Sequence, residues 1–189
     1  MKKVIRASIL QKRNNMPVSE VIRNSSLIKE RLFGLHEFRR ARAILWYVSY
    51  GSEVATHEMI QECMALGKTV VVPCTDTKKR HLSLSELRRW DELGVGAYNI
   101  QEPRLECRHE VAVDTVDLIL VPGIAFDCGG HRIGHGMGYY DRLLSENVKA
   151  LKIGLAFELQ LVEKIPTKQH DVSVDIIITE KRIIYMEKA

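Results

Sequence analysis

The sequence has no long hydrophobic run and no transmembrane pattern. Its apolar stretches, such as residues 43–48 and 176–178, are far shorter than the roughly 20 residues that a membrane-spanning helix needs. The basic start from Met1 to Arg6 lacks the continuous apolar stretch and small-residue cleavage site of a secretory signal. We therefore expect a cytoplasmic protein with no membrane partner.

Clustered cysteines and low-complexity tracts are also missing. Cys63, Cys74, Cys107 and Cys128 lie far apart, and no Cys-x-x-Cys pair occurs. A disulfide framework or a structural zinc site needs closer grouping, so reduced cysteines without a special role are the simpler interpretation. No repeat or linker divides the chain, and we expect a single domain over residues 1–189 with an apolar core.

Charge of one sign is not in large excess, since the formal net charge is +4. The basic residues nevertheless form two groups, Lys2, Lys3, Arg6, Lys12 and Arg13 in the first segment, and Arg39, Arg40 and Arg42 further on. One interpretation is a nucleic-acid surface; the other is that a few cations reach an anionic substrate. No aromatic residue interleaves with the first group, so we expect no nucleic-acid partner.

Hydrophobic periodicity predicts helices that alternate with short apolar strands. Helices are expected over residues 2–13, 21–35, 56–66, 139–147 and, as a short one, 158–164. Strands are expected at 43–48, 69–72, 117–121, 151–156 and 175–179, with an edge strand at 81–84 inside the otherwise patternless stretch 74–113. This alternation predicts an α/β fold of three layers, with a mainly parallel sheet flanked by helices on both faces.

The strongest chemical signal is the loop from Arg132 to Asp141. Glycines at 134, 136 and 138 permit positive φ and can turn the backbone amides into one concavity, which opens into a helix whose N-terminus favours an anion. Arg132 supplies a planar cation suited to phosphate, and Asp141 a carboxylate suited to Mg²⁺. The loop follows an apolar strand, at the end where ligands gather in parallel sheets, so the pattern predicts a nucleoside triphosphate site.

The loop differs from the two common nucleotide motifs. No Gly-Lys-Ser/Thr closes it, which excludes a Walker A loop, and its third glycine comes too early for the dinucleotide fingerprint. Without further context, the alternative is a flexible turn in which Asp141 complements the dipole of the following helix.

A longer pattern surrounds the loop. Its centre is Arg132-Ile133-Gly134-x-Gly136-x-Gly138-Tyr139-Tyr140-Asp141-Arg142, and further parts are residues 122–127, 154–160, 165–166, 170–172 and 174–180, with Lys2-x-x-x-Arg6 and Ser52-Glu53-Val54-x-Thr56 upstream. This pattern resembles the signature of the 5-formyltetrahydrofolate cyclo-ligases, also called 5,10-methenyltetrahydrofolate synthetases. The resemblance spans nearly the whole chain and is weakest over residues 74–98.

The resemblance implies conversion of 5-formyltetrahydrofolate to 5,10-methenyltetrahydrofolate with ATP and Mg²⁺ as cofactors, through a phosphorylated formyl group. ATP would be bound by residues of the first helix and the glycine loop, namely Lys2, Lys3, Arg6, Arg132, Gly134, His135, Gly136, Met137, Gly138, Tyr139 and Tyr140. Val48, Tyr50 and Glu53 would bind the reduced folate, and Asp141 and Asp175 the metal. A monomer is expected.

Some features leave alternatives open. His135 and Met137 stand where some relatives carry basic side chains, so weaker ATP binding, or binding that depends on pH through His135, is expected. Glu53 favours folate because a carboxylate can accept adjacent pterin N–H groups, although taken alone it reads as an exposed loop residue. The alternatives are an ATP-using paralogue with another acceptor and a non-catalytic nucleotide- or nucleic-acid-binding module.

Overall fold

The computed structural model describes residues 1–146, 149–168 and 171–187. Within these ranges the α-helices are α1 (Lys2–Asn14), α2 (Val18–Gly34), α3 (His36–Arg40), α4 (His57–Ala65) and α5 (Tyr139–Glu146). The helices expected over 2–13, 21–35 and 56–66 are confirmed. The helix expected over 139–147 is confirmed as far as Glu146, and Asn147 lies outside the described residues.

The same ranges contain short β-strands throughout. They are β1 (Ala43–Leu45), β2 (Thr69–Asp76), β3 (His81–Glu86), β4 (Leu93–Val95), β5 (Gln101–Pro103), β6 (His109–Val111), β7 (Leu118–Val121), β8 (Ala125–Asp127), β9 (Arg132–Ile133), β10 (Leu151–Leu155), β11 (Leu161–Val162), β12 (Ile176–Ile178) and β13 (Ile183–Tyr185). The strands expected near 43–48, 69–72, 117–121, 151–156 and 175–179 are among them.

The main sheet is mixed but has a parallel centre. In the described residues its order is β13-β12-β10-β7-β1-β2-β3-β6. The strands from β12 to β2 in this order pair in parallel, whereas β13 and β3 pair antiparallel to their inner neighbours. Parallel strands need crossover connections, and the helices provide several of these. A smaller sheet, β11-β8-β9, packs beside it.

Alternate side chains of the central strands are buried on opposite faces of the sheet. On one face, side chains such as Ile44 and Leu118 pack against α2, α3 and α4. On the other face, side chains such as Leu45 and Ile119 pack against α5. Since successive side chains of a strand point to opposite faces, this pattern buries both faces, as parallel sheets require. The predicted three-layer α/β fold is confirmed. Trp46 is fully buried in the α2–α4 layer, where it serves the core.

One sequence expectation is confirmed in part and another differs from the structure. Residues 81–84 begin β3, and β6 pairs on the outer side of β3 only from Leu84 onward, so among the described residues the expected edge strand holds for 81–83. The helix expected over 158–164 is a single 3₁₀ turn, Glu158–Gln160, followed by β11. The buried Gln160 side chain accepts a hydrogen bond from the Phe157 amide (2.8 Å) and donates one to the Gly123 carbonyl (2.8 Å). The first of these bonds caps the start of the turn, and after the turn the chain pairs with β8.

Helix α1 packs on the small sheet beside the main one. Ile9 is buried against Ile124, Ala125 and Ile133. The nearly buried Arg13 donates hydrogen bonds to Ser52 Oγ (3.0 Å) and to the Gly123 carbonyl (3.4 Å), which fixes the end of α1 against two loops. None of the helices described here is both long and apolar enough to cross a membrane.

Candidate active site

A cavity of about 870 Å³ opens where the central parallel strands end. Tyr47 and Val48, which follow β1, and Pro122 and Gly123, which follow β7, lie at its base. Its walls are the first turns of α1, the glycine loop that leads into α5, the loop after β1, and the β4–β5 hairpin. The carboxyl edge of the sheet is the position that the sequence predicted for a ligand.

The glycine loop is held in a curved conformation from both sides. Gly136 and Gly138 have positive φ values of 97° and 69°, a region that residues with a Cβ rarely adopt. Gly134 has no positive φ, so only part of the alternating glycine pattern serves this purpose. Arg6 Nε donates to the Gly134 carbonyl (2.9 Å), and Arg142 Nη2 donates to the Met137 carbonyl (3.0 Å). Two arginines thus hold the loop carbonyls where the chain enters α5, and within the described part of the chain the amides of residues 134–140 donate to no other residue.

Arg132 and Asp141 form an ion pair across the loop. Arg132 Nη2 lies 2.9 Å from Asp141 Oδ1, and the exposed side-chain fractions are 5% and 25%. Burial lowers the pKa of the Arg132 guanidinium from its ordinary value, and the charge of Asp141 opposes this shift. Arg132 Nε and the Tyr140 hydroxyl are buried without a partner among the described residues. Such atoms are costly to leave unpaired, so this corner is suited to a polar ligand.

Glu53 faces the same cavity from the loop after β1. Thr56 fixes this loop, because its hydroxyl donates to the Tyr47 carbonyl (2.7 Å) and accepts from the Ser49 amide (3.0 Å). Glu53 Oε2 accepts a hydrogen bond from the Tyr50 amide (3.2 Å). The Glu53 side chain is only 10% exposed. A carboxylate with little solvent and one remaining oxygen can accept N–H groups from a ligand.

Two tyrosines close the floor between the Arg132 and Glu53 corners. The Tyr47 hydroxyl donates to the Val54 carbonyl (3.3 Å), and the Tyr140 ring lies 5.8 Å from the Arg132 guanidinium carbon. Burial, followed by the negative charge of Glu53, raises the pKa of both phenols well above the ordinary value. Both rings are therefore neutral at physiological pH and form a low-dielectric floor, on which charges act strongly.

The first turns of α1 supply cations at the rim. Lys2 Nζ lies 2.6 Å from Asp171 Oδ2, and Arg6 reaches the glycine loop as described above. Lys2 and Arg6 share one face of the helix because they are four residues apart. Lys3 lies one residue further round, is exposed and is not among the lining residues.

Most residues that the sequence singled out lie together in this cavity. They are Lys2, Arg6, Val48, Tyr50, Glu53, Arg132, Gly134, His135, Gly136, Met137, Gly138, Tyr139, Tyr140 and Asp141. Lys3 and Asp175 do not line it. Asp175 precedes β12, at the amino ends of the parallel strands, and its carboxylate accepts the Lys152 amide (2.8 Å) at the start of β10. The structure therefore does not bring Asp175 together with Asp141.

The metal site expected from the sequence therefore loses one of its two carboxylates, Asp175. Over residues 1–146, 149–168 and 171–187, no group of three or more His, Cys, Asp and Glu side chains is arranged to hold a metal ion. Asp141 is the carboxylate from the predicted pair that lies in the cavity.

Sequence reasoning missed one wall of the cavity and part of another. Tyr98, Ile100, Gln101 and Glu102 line it from the region of the β4–β5 hairpin, and Asp171 from the segment before β12. The hairpin residues carry no motif that would have revealed them. Asp171 lies within a segment of the family pattern, which was the available signal. His170, beside it in that pattern, lies outside the described residues.

Residues 1–180 match the model of the 5-formyltetrahydrofolate cyclo-ligase family. The chain belongs to this family. The 5-formyltetrahydrofolate cyclo-ligase of Mus musculus is 29% identical over 189 residues, covering 95% of this chain and 93% of the relative. That of Saccharomyces cerevisiae is 31% identical over 201 residues, covering 94% of each.

A solved structure agrees with this assignment. The 5,10-methenyltetrahydrofolate synthetase of Aquifex aeolicus has 34% sequence identity and superposes with a TM-score of 0.88, covering 100% of this chain and 94% of the other. This cyclo-ligase family member is therefore an enzyme of the ligase type, with the fold of its solved relative. The cavity built above is its candidate active site.

Proposed function

We propose that this chain converts 5-formyltetrahydrofolate to 5,10-methenyltetrahydrofolate and uses ATP and Mg²⁺ to do so. The formyl oxygen attacks the γ-phosphorus of ATP, the bond from that phosphorus to ADP breaks, and the formyl group becomes a phosphorylated iminium. Nitrogen 10 then attacks the activated carbon and loses its proton, and phosphate leaves with the former formyl oxygen. Phosphorylation is needed because an amide-like oxygen is a poor leaving group.

One observation supports this function above the others. A single cavity contains both the cationic glycine loop and the shielded Glu53 carboxylate, with His135 Nε2 of the loop 4.0 Å from Glu53 Oε1. A reaction that transfers phosphate to a pterin-bearing acceptor needs an anion site and an N–H acceptor within the reach of one substrate. A nucleotide-binding module without an acceptor would have no use for Glu53 at this position.

The proposed phosphate contacts follow from the charges in the cavity. Arg132 would face the transferred group, because its Nε is buried with no partner among the described residues, while Nη2 is fixed by Asp141. Arg6 and Lys2 would hold the polyphosphate from α1, and the amides of residues 134–140 from the loop. Catalysis would then rest on positioning and on stabilising charge, as is general for phosphoryl transfer.

The proposed folate contacts lie on the other side of the cavity. Glu53 Oε1 would accept pterin N–H groups, since Oε2 is already bonded to the Tyr50 amide. Val48 is almost fully buried beside the tyrosine floor and would pack against the ring, and Tyr50 would cover its exposed edge. In this arrangement the formyl oxygen would point toward the Arg132 corner, which lines the same cavity.

Magnesium fits this cavity through one protein carboxylate. Mg²⁺ is commonly held by one or two carboxylates together with substrate phosphates and water, and it requires no larger protein cluster. Asp141 has one oxygen on Arg132 and is a quarter exposed, so its second oxygen is available. When bound there, Mg²⁺ would neutralise phosphate charge, while Arg132 keeps the carboxylate oriented. The metal is thus proposed on Asp141 rather than on an Asp141–Asp175 pair.

The decisive test is the absorbance of the methenyl product. Purified protein is mixed with 5-formyltetrahydrofolate, ATP and MgCl₂, and near-ultraviolet absorbance is followed, with each component left out in turn. We expect a rise only when all three are present, together with one ADP per product. No rise, with ATP binding still detected by calorimetry, would contradict this acceptor and favour a paralogue with another one.

A further inference from the structure

We propose that Arg13 is a positioning residue that fixes the Glu53 carboxylate at a set distance from the cations of α1. Arg13 is not among the residues that line the cavity, so it acts through Ser52 and not by touching a substrate. This inference rests on the proposed function, because it assumes that the pterin binds at Glu53 and the polyphosphate at Arg6.

The first step is the geometry of α1. Arg6 and Arg13 are seven residues apart, which is nearly two helical turns, so both lie on the same face, about 10 Å apart along the axis. Ile9 lies between them on that face and is buried against the small sheet. The helix is therefore anchored between the two arginines, and its backbone keeps their separation constant.

The second step is the environment of Arg13, which is only 4% exposed. Its Nε donates to Ser52 Oγ (3.0 Å), and its Nη1 donates to the Gly123 carbonyl (3.4 Å). A planar guanidinium presents its donors in fixed directions, so one side chain can bridge two acceptors. The Gly123 carbonyl has a second donor in Gln160 Nε2 (2.8 Å), so the loss of Arg13 would mainly release Ser52.

The third step is that Ser52 and Glu53 belong to one closed turn. The Glu53 amide donates to the Tyr50 carbonyl (3.4 Å), and Glu53 Oε2 accepts from the Tyr50 amide (3.2 Å). The Ser52 hydroxyl accepts from Arg13 and donates to Asn14 Oδ1 (2.5 Å), so both of these hydrogen bonds go to the last turn of α1. A shift of Ser52 relative to α1 would therefore move the Glu53 carboxylate with it.

The consequence concerns the alignment of the two substrates. Helix α1 would hold the polyphosphate with its first turns, and its last turn holds the loop that would bind the pterin. A misplacement of reacting groups by about 1 Å can cost about 100-fold in rate. Thr56 still fixes the base of the loop when Arg13 is removed, so the loss should be partial. We expect kcat/KM for folate to fall about tenfold, the scale of one hydrogen bond to a charged group.

The test is a double-mutant cycle, measured as kcat/KM for 5-formyltetrahydrofolate at saturating ATP and MgCl₂. Arg13→Met keeps an unbranched side chain and removes the donors, and Ser52→Ala breaks the same bond from its other end. Each is also combined with Glu53→Gln. Lys12→Met is the matched control, because Lys12 is the neighbouring cation of the same helical turn and is exposed. Circular dichroism checks that each variant folds.

We expect kcat/KM to fall about tenfold in Arg13→Met and about threefold in Ser52→Ala, with Lys12→Met like the wild type. KM for ATP should change less than about twofold, because Ile9 anchors α1 independently of Arg13. In the Glu53→Gln background both further losses should shrink to less than about twofold, since Arg13 and Ser52 act through Glu53.

Several results would overturn the role of Arg13. They are undiminished losses in the Glu53→Gln background, an unchanged kcat/KM in either single variant, an equal rise in KM for ATP, and an equal loss in Lys12→Met. If Arg13→Met does not fold, the cycle of Ser52→Ala with Glu53→Gln decides by the same criteria. Absence of turnover in the wild type would instead contradict the proposed function itself, so the two failures are distinguishable.

Discussion

The glycine loop at residues 132–141 and the segment at 74–113 line the same cavity, yet their sequences reveal this to very different degrees. The loop makes its shape with backbone, so it needs glycine where φ is positive, as at Gly136 and Gly138. The segment contributes side chains such as Tyr98 and Glu102, whose residue types do not recur in a recognisable spacing. A site shaped by backbone conformation therefore appears in the sequence as a glycine motif, whereas a wall formed by packed side chains does not.

The two regions contact each other through Tyr98 and Tyr139. The hydroxyls of Tyr98 and Tyr139 lie 3.4 Å apart at the cavity mouth. Tyr98 and Asn99 have positive φ values of 56° and 62°, so the segment contains backbone strain of its own. Nearby, Gly96 lies so close to Glu102 that a Cβ would be 2.7 Å from its Cγ, and Glu102 is fixed by the Thr75 amide (3.1 Å). Local contacts thus define this wall, although no sequence motif indicates it.

The largest effect is expected at the end of the loop. Asp141→Asn removes the charge that pairs with Arg132 and would face the metal, so kcat should fall about 100- to 1,000-fold. The measurement is methenyl absorbance over a range of MgCl₂ concentrations at saturating ATP and folate.

Asp175→Asn is the matched control for that variant. It replaces a charged acceptor of the Lys152 amide by a neutral one, so we expect a loss of about 1 kcal/mol in unfolding free energy, with Mg²⁺-dependent turnover retained. If Asp175→Asn lost turnover as completely as Asp141→Asn while its melting temperature stayed the same, the placement of the metal on Asp141 alone would be wrong.

The next effect tests whether the two sides of the cavity serve different substrates. Glu53→Gln replaces a charged acceptor by a neutral amide, which should raise KM for 5-formyltetrahydrofolate about 10- to 100-fold. KM for ATP should change less than about threefold, because the glycine loop and α1 keep their charges. Steady-state kinetics with each substrate varied in turn measures both constants. Equal rises in both would indicate general damage rather than a folate contact.

A smaller effect is expected in the patternless segment. Tyr98→Ala removes aromatic surface from the wall, and we expect KM for folate to rise about fivefold, whereas Tyr98→Phe should change it less than about twofold. Comparison of the two variants separates the effect of the aromatic ring from that of the hydroxyl contact with Tyr139. A larger loss in Tyr98→Phe than this would mean that the hydroxyl contact, and not the ring, defines the wall.

The smallest effect concerns backbone shape. Gly136→Ala forces a Cβ onto a φ of 97°, which should cost about 1–2 kcal/mol in stability and raise KM for ATP about threefold. Gly34→Ala, at the end of α2, has open space around its Cβ position and no positive φ, so its stability should not fall. The two variants are compared by thermal melting and by steady-state kinetics with varied ATP. Equal behaviour of the two variants would show that positive φ is not what the loop requires.

Sequence reasoning also missed the roles of side chains whose hydrogen-bond partners are distant in the chain. Arg13 read as part of a basic cluster, yet it is nearly buried because Ser52 and Gly123 accept its hydrogen bonds. Asp175 read as a metal ligand through the family pattern, whereas the start of β10 supplies its partner. Neither partner is near in sequence, so periodicity and motifs could not indicate them.

By itself, the sequence determined the alternation of helices and buried strands, the glycine loop before α5 and the family. Those properties depend on local period and on backbone freedom, which neighbouring residues specify. Only the tertiary structure decided which wall faces the loop, which carboxylate lies beside Arg132, and that His135 reaches Glu53. These depend on where separate elements come together at the sheet edge, and packing of the whole core fixes those distances.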